Sequence, residues 1–229
     1  MNNKHFIPKR DLWLEEVNSQ CHEYAKEIDL DFYVFQTPIN KYNPDLLIIG
    51  INPGGEGKYS KWLERNKKDK RTNESLYYGV NTLVEKPYWE IEDKNKGADT
   101  MRAAFSKVFT EENGLKSVLK NAVMMNMIYF NTKTEKDLNS IPIEMRNFCI
   151  SKTLEFIDIL KPKNILFLTN EKMLKKYGVK NILQVSDTVK KGNLNDLDIF
   201  CIPHYGAYAY YSDKRGRKMG DTLAQLFNK

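Results

Sequence analysis

The sequence predicts an α/β protein, a single three-layer α/β/α domain over residues 1–229 around a central, mostly parallel, four-stranded sheet. Three observations predict it. The runs Leu46-Leu47-Ile48-Ile49 and Ile199-Phe200-Cys201-Ile202 are continuously apolar, as in strands covered on both faces. Each breaks off in a polar turn, Gly50-Ile51-Asn52-Pro53-Gly54 and His204-Tyr205-Gly206. Between them strand-like and helix-like stretches alternate, which is the pattern of a parallel sheet with helices on both faces.

Taken in order, residues 10–28 read as an amphipathic helix, with Leu12, Val17, Cys21, Tyr24 and Ile28 on one face. Residues 31–35 read as an edge strand and 46–51 as the first central strand. A charged insertion follows at about 58–99, with a short helix and enough aromatic residues to pack in part. Residues 101–109 and 115–119 read as helices, and 122–130 as the second central strand. Pro142 suits the first turn of a helix running to Leu160. The third strand is 164–168, followed by a helix over 171–177 that Gly178 ends. A short strand is expected at 184–189, the last central strand at 198–202 and a closing helix at 217–227. No internal repeat or linker divides the chain.

Composition narrows the function. Lys and Arg number 36 against 30 Asp and Glu, a net charge of +6 that suits a polyanionic partner. No apolar stretch approaches the ~18 residues a membrane span needs, and the N-terminus shows no apolar signal region. The expectation is therefore a cytoplasmic, nucleoid-associated monomer with no membrane partner. Cys21, Cys149 and Cys201 are too few and too scattered for a disulfide framework. Three histidines, His5, His22 and His204, leave no zinc ligand set, so no metal and no cofactor is expected.

The two polar turns carry the chemistry, because α/β sheets bind ligands beyond the carboxyl ends of their strands. Gly50-Ile51-Asn52-Pro53-Gly54 resembles the first motif of the uracil-DNA glycosylase superfamily, in the form of its mismatch-specific, thymine-DNA and single-strand-selective branches. The turn at His204 is similar to that family's second motif, with Tyr205 and Gly206 in place of its Pro and Ser. The stretch NAVMMNMIYFNT, residues 121–132, resembles the strand carrying the family's base-reading Asn, which would be Asn126. The order of motifs fits over residues 45–229. The family's iron–sulfur members need four cysteines, and this chain has three.

The resemblance implies a monofunctional DNA glycosylase: water attacks, an abasic site is left, and neither motif offers a Lys for a Schiff base. Such an enzyme flips its nucleotide out of the helix into a pocket. His204 would donate to the departing base and Asn52 would hold the attacking water. Asn126 would read the base edge in a pocket formed with Gly50, Ile51, Pro53 and Gly54. Tyr59, Tyr77 and Tyr78 are the candidates for stacking on the base. After His204, Tyr205, Gly206, Tyr208, Tyr210 and Tyr211 would enter the minor groove, while Lys214, Arg215, Arg217 and Lys218 grip phosphates of single- or double-stranded DNA. The implied substrate is uracil, a mispaired or damaged pyrimidine, or a modified base in foreign DNA, in a repair or phage-defence role.

Each assignment has a plainer alternative. Asn52-Pro53-Gly54 is also ordinary turn chemistry, His204 could cap a turn, and Asn126 could be a core amide bonded to backbone. The loop after His204 could be a solvated basic loop with tyrosines packed beneath. A non-catalytic DNA-binding or interaction module on the same fold is the rival function. A phosphate-binding P-loop fails, because Gly57-Lys58 would need Gly where Asn52 stands and Ser or Thr where Tyr59 stands.

Overall fold

Six strands form one sheet: β1 (Leu47–Gly50), β2 (Val123–Asn126), β3 (Ile165–Leu168), β4 (Lys180–Gln184), β5 (Lys190–Leu194) and β6 (Leu197–Ile202). Seven α-helices accompany them: α1 (Asn3–Ile28), α2 (Tyr59–Asp69), α3 (Lys96–Val108), α4 (Leu115–Lys120), α5 (Ile143–Leu160), α6 (Glu171–Lys176) and α7 (Asp213–Phe227). The computed structural model describes residues 3–55, 57–69, 86–91 and 96–227. The chain divides into two compact units, Met1–Asn43, Ile51–Glu85 and Met125–Lys161 in the first, Pro44–Gly50, Lys86–Met124 and Pro162–Lys229 in the second.

The sheet order is β2-β1-β3-β6-β5-β4. β1, β3 and β6 run parallel and in register, Gly50 opposite Leu168 and Leu168 opposite Ile202. Their carboxyl ends are therefore level. β5 and β4 add antiparallel at the other side of β6. The sheet is thus mixed and six-stranded, not the mostly parallel four-stranded one expected. The extra hairpin is built from Lys180, Asn181, Gln184, Lys190 and Lys191, too polar to give an apolar run. Its signal was in the turns: Asn195 and Asp196 both adopt positive φ, 47° and 64°, and join β5 to β6 as a two-residue hairpin. Residues 184–189 were expected to be a strand; Gln184 ends β4 and 185–189 form the bend between β4 and β5, with Val185 N–H bonded to the Val189 carbonyl at 2.9 Å.

Other boundaries moved for local reasons. β2 stops at Asn126, and residues 31–35 contribute only the isolated bridges Phe32–Phe130 and Phe35–Met125. α1 begins at Asn3, with Pro8 in its early turns, and α7 begins at Asp213.

Each unit has its own core. In the first, α1 packs on α5 through Trp13, whose ring lies 4.6 Å from that of Phe156 and whose Nε1–H donates to the Lys152 carbonyl at 3.1 Å. In the second, Leu46, Ile48, Leu166, Leu168 and Ile202 of the sheet pack with Phe105 of α3 and Met219 and Leu223 of α7. The α3–α7 crossing is close because Gly220 has no side chain: a Cβ there would lie 2.1 Å from the Val108 carbonyl oxygen and 2.4 Å from Asn113 Nδ2. Gly220→Ala, which on an open helix surface would stabilise, is expected here to cost about 3 kcal/mol or more, read as a lowered midpoint in urea or thermal unfolding.

Candidate functional site

Asn52 stands two residues past β1 and is half-buried in the first unit. Its Nδ2 donates to the Pro53 carbonyl at 2.8 Å and to Thr132 Oγ1 at 2.9 Å, with the Phe130 carbonyl at 3.5 Å. Thr132 gives its own hydroxyl proton to the Thr134 carbonyl at 3.0 Å, so its oxygen can only accept from Asn52. That relay fixes the amide orientation: the nitrogen is tied inward, and Oδ1 takes no hydrogen bond from a described residue. The turn itself is held by main chain. Ile128 N–H donates to the Ile51 carbonyl at 2.9 Å, Thr132 N–H reaches the Pro53 carbonyl at 3.4 Å, and Gly54 bridges to Thr132. A Cβ on Gly54 would meet no atom within 4 Å, so the turn is open there.

Asn126 is only 1% exposed. Its Nδ2 donates to the Tyr33 carbonyl at 3.0 Å, and its Oδ1 accepts from Gln36 Nε2 at 3.4 Å. The amide is thereby engaged inside the protein, in the manner of a core Asn. A second amide, Asn131, does what Asn126 does not. It is 3% exposed, yet its Oδ1 has no hydrogen-bond partner. Its neighbour is Asp31, 1% exposed, whose carboxylate accepts from Phe32 N–H at 3.0 Å and from the Tyr33 hydroxyl at 2.9 Å. Main chain ties the pair together, Asn131 N–H to the Asp31 carbonyl at 2.8 Å and Asp31 N–H to the Gly57 carbonyl at 2.9 Å. Sequence reasoning passed over both. The signal for Asn131 was available, since Asn131-Thr132 is the polar pair that ends the apolar run 127–130, the same cue that singled out Asn52.

Tyr59 opens α2 with its ring 3% exposed, stacked on Trp62 at 5.4 Å, and its hydroxyl 2.6 Å from His22 Nδ1. Burial raises the Tyr59 phenol and lowers the His22 imidazole. The ring is thus occupied. Tyr77 and Tyr78, with residues 70–85 and 92–95 of the 58–99 insertion, lie outside the described residues.

In the second unit His204 stands two residues past β6. Gly206 N–H donates to its Nδ1 at 3.1 Å. An accepting Nδ1 carries no proton, so the neutral ring bears its proton on Nε2, where no described residue engages it. Burial pulls the imidazole down to about 4 from its ordinary 6.5, which keeps it neutral near pH 7. The turn is stiff: Ala207 N–H bonds the His204 carbonyl at 2.8 Å, and the buried Tyr211 gives its hydroxyl to the Pro203 carbonyl. Tyr205 lies against His204 at 4.0 Å and edge-on to Phe105 at 6.5 Å, and burial pushes its phenol up to about 12. It packs beneath the loop, whereas Tyr208, 72% exposed, and Tyr210, 42%, face solvent.

The basic residues of α7 differ in freedom. Arg215 donates to the Ala209 carbonyl at 2.9 Å and sits 6.0 Å over the Tyr210 ring, so it braces the loop. Lys218 reaches Asp187 at 3.4 Å across solvent, while Lys214 and Arg217 are exposed. Arg217 also lines a concavity of about 920 Å³ with Trp89, Arg102, Phe105 and Lys116 of the same unit. Among the described residues no group of three or more His, Cys, Asp or Glu could hold a metal ion, and no helix is long and apolar enough to cross a membrane. The chain matches no protein-family profile, and no curated protein matches it in sequence.

The His204 geometry sets a pH dependence. Unfolded, the imidazole takes up its proton near 6.5; folded, near 4. Between those values the unfolded chain binds more protons, so the contribution is full above 6.5 and is lost as pH falls toward 4. Urea unfolding at pH 7 and pH 5 is expected to show the wild type losing about 1–2 kcal/mol more than His204→Gln over this interval.

Proposed function

We propose that the protein is a monofunctional DNA glycosylase that hydrolyses the N-glycosidic bond of a flipped-out pyrimidine, on a fold like that of the uracil-DNA glycosylase superfamily. The observation that carries the reading is the locked state of the two strand-end polar residues, each within its own unit: Asn52 with Nδ2 tied to Pro53 and Thr132 and Oδ1 taking no hydrogen bond from a described residue, and His204 held neutral with its proton on Nε2. Those are the two atoms the reaction asks for. As the bond between C1′ and the base nitrogen breaks, the sugar gains oxocarbenium character and the base leaves with its electrons. A neutral donor aimed at the base oxygen stabilises that charge without surrendering its proton. Asn52 Oδ1 accepts from a water and aims its lone pair at C1′; an amide orients the water but cannot deprotonate it. The water adds to C1′, its proton goes to bulk solvent, the base anion takes one up, and free base and an abasic site remain.

Asn131 is a second candidate base reader beside Asn126. Its buried amide oxygen has no partner, while Asn126, bonded to Tyr33 and Gln36, keeps one N–H and one lone pair. The net positive charge and the exposed Lys214 and Arg217 suit the phosphate backbone.

The test is release of free base from DNA containing uracil, mismatched thymine or modified pyrimidines, followed by mass spectrometry. His204→Ala is expected to slow single-turnover release about 10²–10³-fold, the loss typical of one such donor, and Asn52→Ala to reduce it comparably. DNA binding with no base released, unaltered by either change, would instead favour a non-catalytic DNA-binding module.

A further inference from the structure

The loop after His204 sorts its tyrosines into two kinds. Tyr205 and Tyr211 pack inward, whereas Tyr208 and Tyr210 stand in solvent. Tyr208 is the most exposed large aromatic or aliphatic side chain among the described residues. The backbone beneath these two rings is nonetheless held. Residues 208–210 form a 3₁₀ turn, with Tyr210 N–H bonded to the Ala207 carbonyl and Tyr211 N–H to the Tyr208 carbonyl, both at 3.0 Å. Arg215 braces it from α7, donating to the Ala209 carbonyl at 2.9 Å with its guanidinium 6.0 Å from the centre of the Tyr210 ring. Two aromatic rings are thereby held out to water, four and six residues past His204. At three residues per turn, side chains two apart diverge by about 120°, so the rings form separate platforms and not one blade.

We propose that Tyr208 and Tyr210 are stacking platforms for unpaired bases beside the target nucleotide, and that the protein takes single-stranded DNA in preference to the duplex. The inference rests on the glycosylase reading and names the form of its substrate. Every base has a π-face, so an exposed ring binds a single strand with little regard to sequence. In a duplex those faces are covered by neighbouring base pairs, and a protein that enters must pry a step open. The side chains that do so are apolar wedges such as Phe, Leu, Ile, Met and Pro. A tyrosine driven into a closed step would strip the water from its hydroxyl. Laid on a splayed base, it keeps that hydroxyl in solvent. Charge suits the same occupant. Residues 213–218 hold four cations, Lys214, Arg215, Arg217 and Lys218, and one carboxylate, Asp213, which Lys107 pairs at 3.3 Å. A phosphate backbone passing the platforms therefore meets net positive charge.

The experiment measures binding of the whole chain to one mixed-sequence DNA oligonucleotide, alone and annealed to its complement, by fluorescence anisotropy at a fixed salt concentration. The wild type is expected to bind the single strand about tenfold or more tightly than the duplex. Tyr208→Ala and Tyr210→Ala should each weaken single-strand binding about tenfold, the loss typical of one stacked base, and leave duplex binding within about twofold. Tyr208→Phe, which keeps the ring, should bind as the wild type does. Equal or tighter binding of the duplex, binding of neither form, or single-strand binding that survives both alanine changes would overturn the proposal. So would an equal loss on the duplex, or a loss in Tyr208→Phe as large as in Tyr208→Ala. Tyr210→Ala also removes a partner of Arg215; if it does not fold by circular dichroism, the two Tyr208 variants decide. Base release from the same strand carrying uracil or a modified pyrimidine separates the two claims. A single-strand preference that depends on Tyr208, with no base released from any DNA, removes the glycosylase reading and leaves the platforms. Release without that dependence removes the platforms alone.

Discussion

One extended stretch, residues 125–132, is paired along two sides, and the placing of the polar side chains of the first unit depends on that pairing. On one side it meets the turn after β1, through Ile128 to Ile51 and Gly54 with Thr132. On the other it meets residues 31–35, through the Phe32–Phe130 and Phe35–Met125 bridges and the bond from Asn131 to Asp31. Main-chain groups that would be costly to bury unpaired are thus satisfied in both directions. Side chains at the end of the stretch inherit fixed positions. Thr132 locks Asn52, and Asn131 is held against Asp31 and Gly57. A polar site assembled from three separate segments needs such a common rail, because none of them is long enough to be a stable strand alone.

The second unit reaches the same end differently. His204 follows a strand set in a parallel register with its neighbours, and its ring is oriented by a backbone N–H two residues on. Burial keeps the ring neutral, and Tyr205 and Tyr211 stiffen the loop from beneath. Preorganisation of this kind fixes a donor in advance, which is what the proposed reaction would need to avoid the cost of reorienting it.

Much of this was legible in the sequence, and the failures have physical causes. Apolar runs located β1, β3 and β6, because strands buried on both faces leave no room for polar residues. The same rule hid β4 and β5, whose lysines and amides lie at a solvent-facing edge. Asn52 and His204 stood out because each follows such a run. Asn126 drew attention as a polar residue inside an apolar stretch, but its partners, Tyr33 and Gln36, lie some ninety residues away along the chain. Sequence shows that a buried amide must be satisfied; it does not show by what. Tyr59 and Tyr205 were chosen as aromatic residues near the motifs, and whether a ring faces solvent or core is decided by distant partners such as His22 and Phe105. Asp31 carried no local cue at all, since only the fold brings it to Gly57.

The central claim is hydrolysis of a base from DNA without a covalent enzyme intermediate. The measurement that addresses it most directly is a mass balance under single-turnover conditions, with protein in excess over DNA. Free base and abasic site are counted in the same reaction, and borohydride is added to trap any Schiff base. The account predicts equal amounts of base and abasic site, intact strands and no trapped adduct. Abasic sites without free base, a borohydride-trapped complex, or bound DNA in which neither product forms would contradict it.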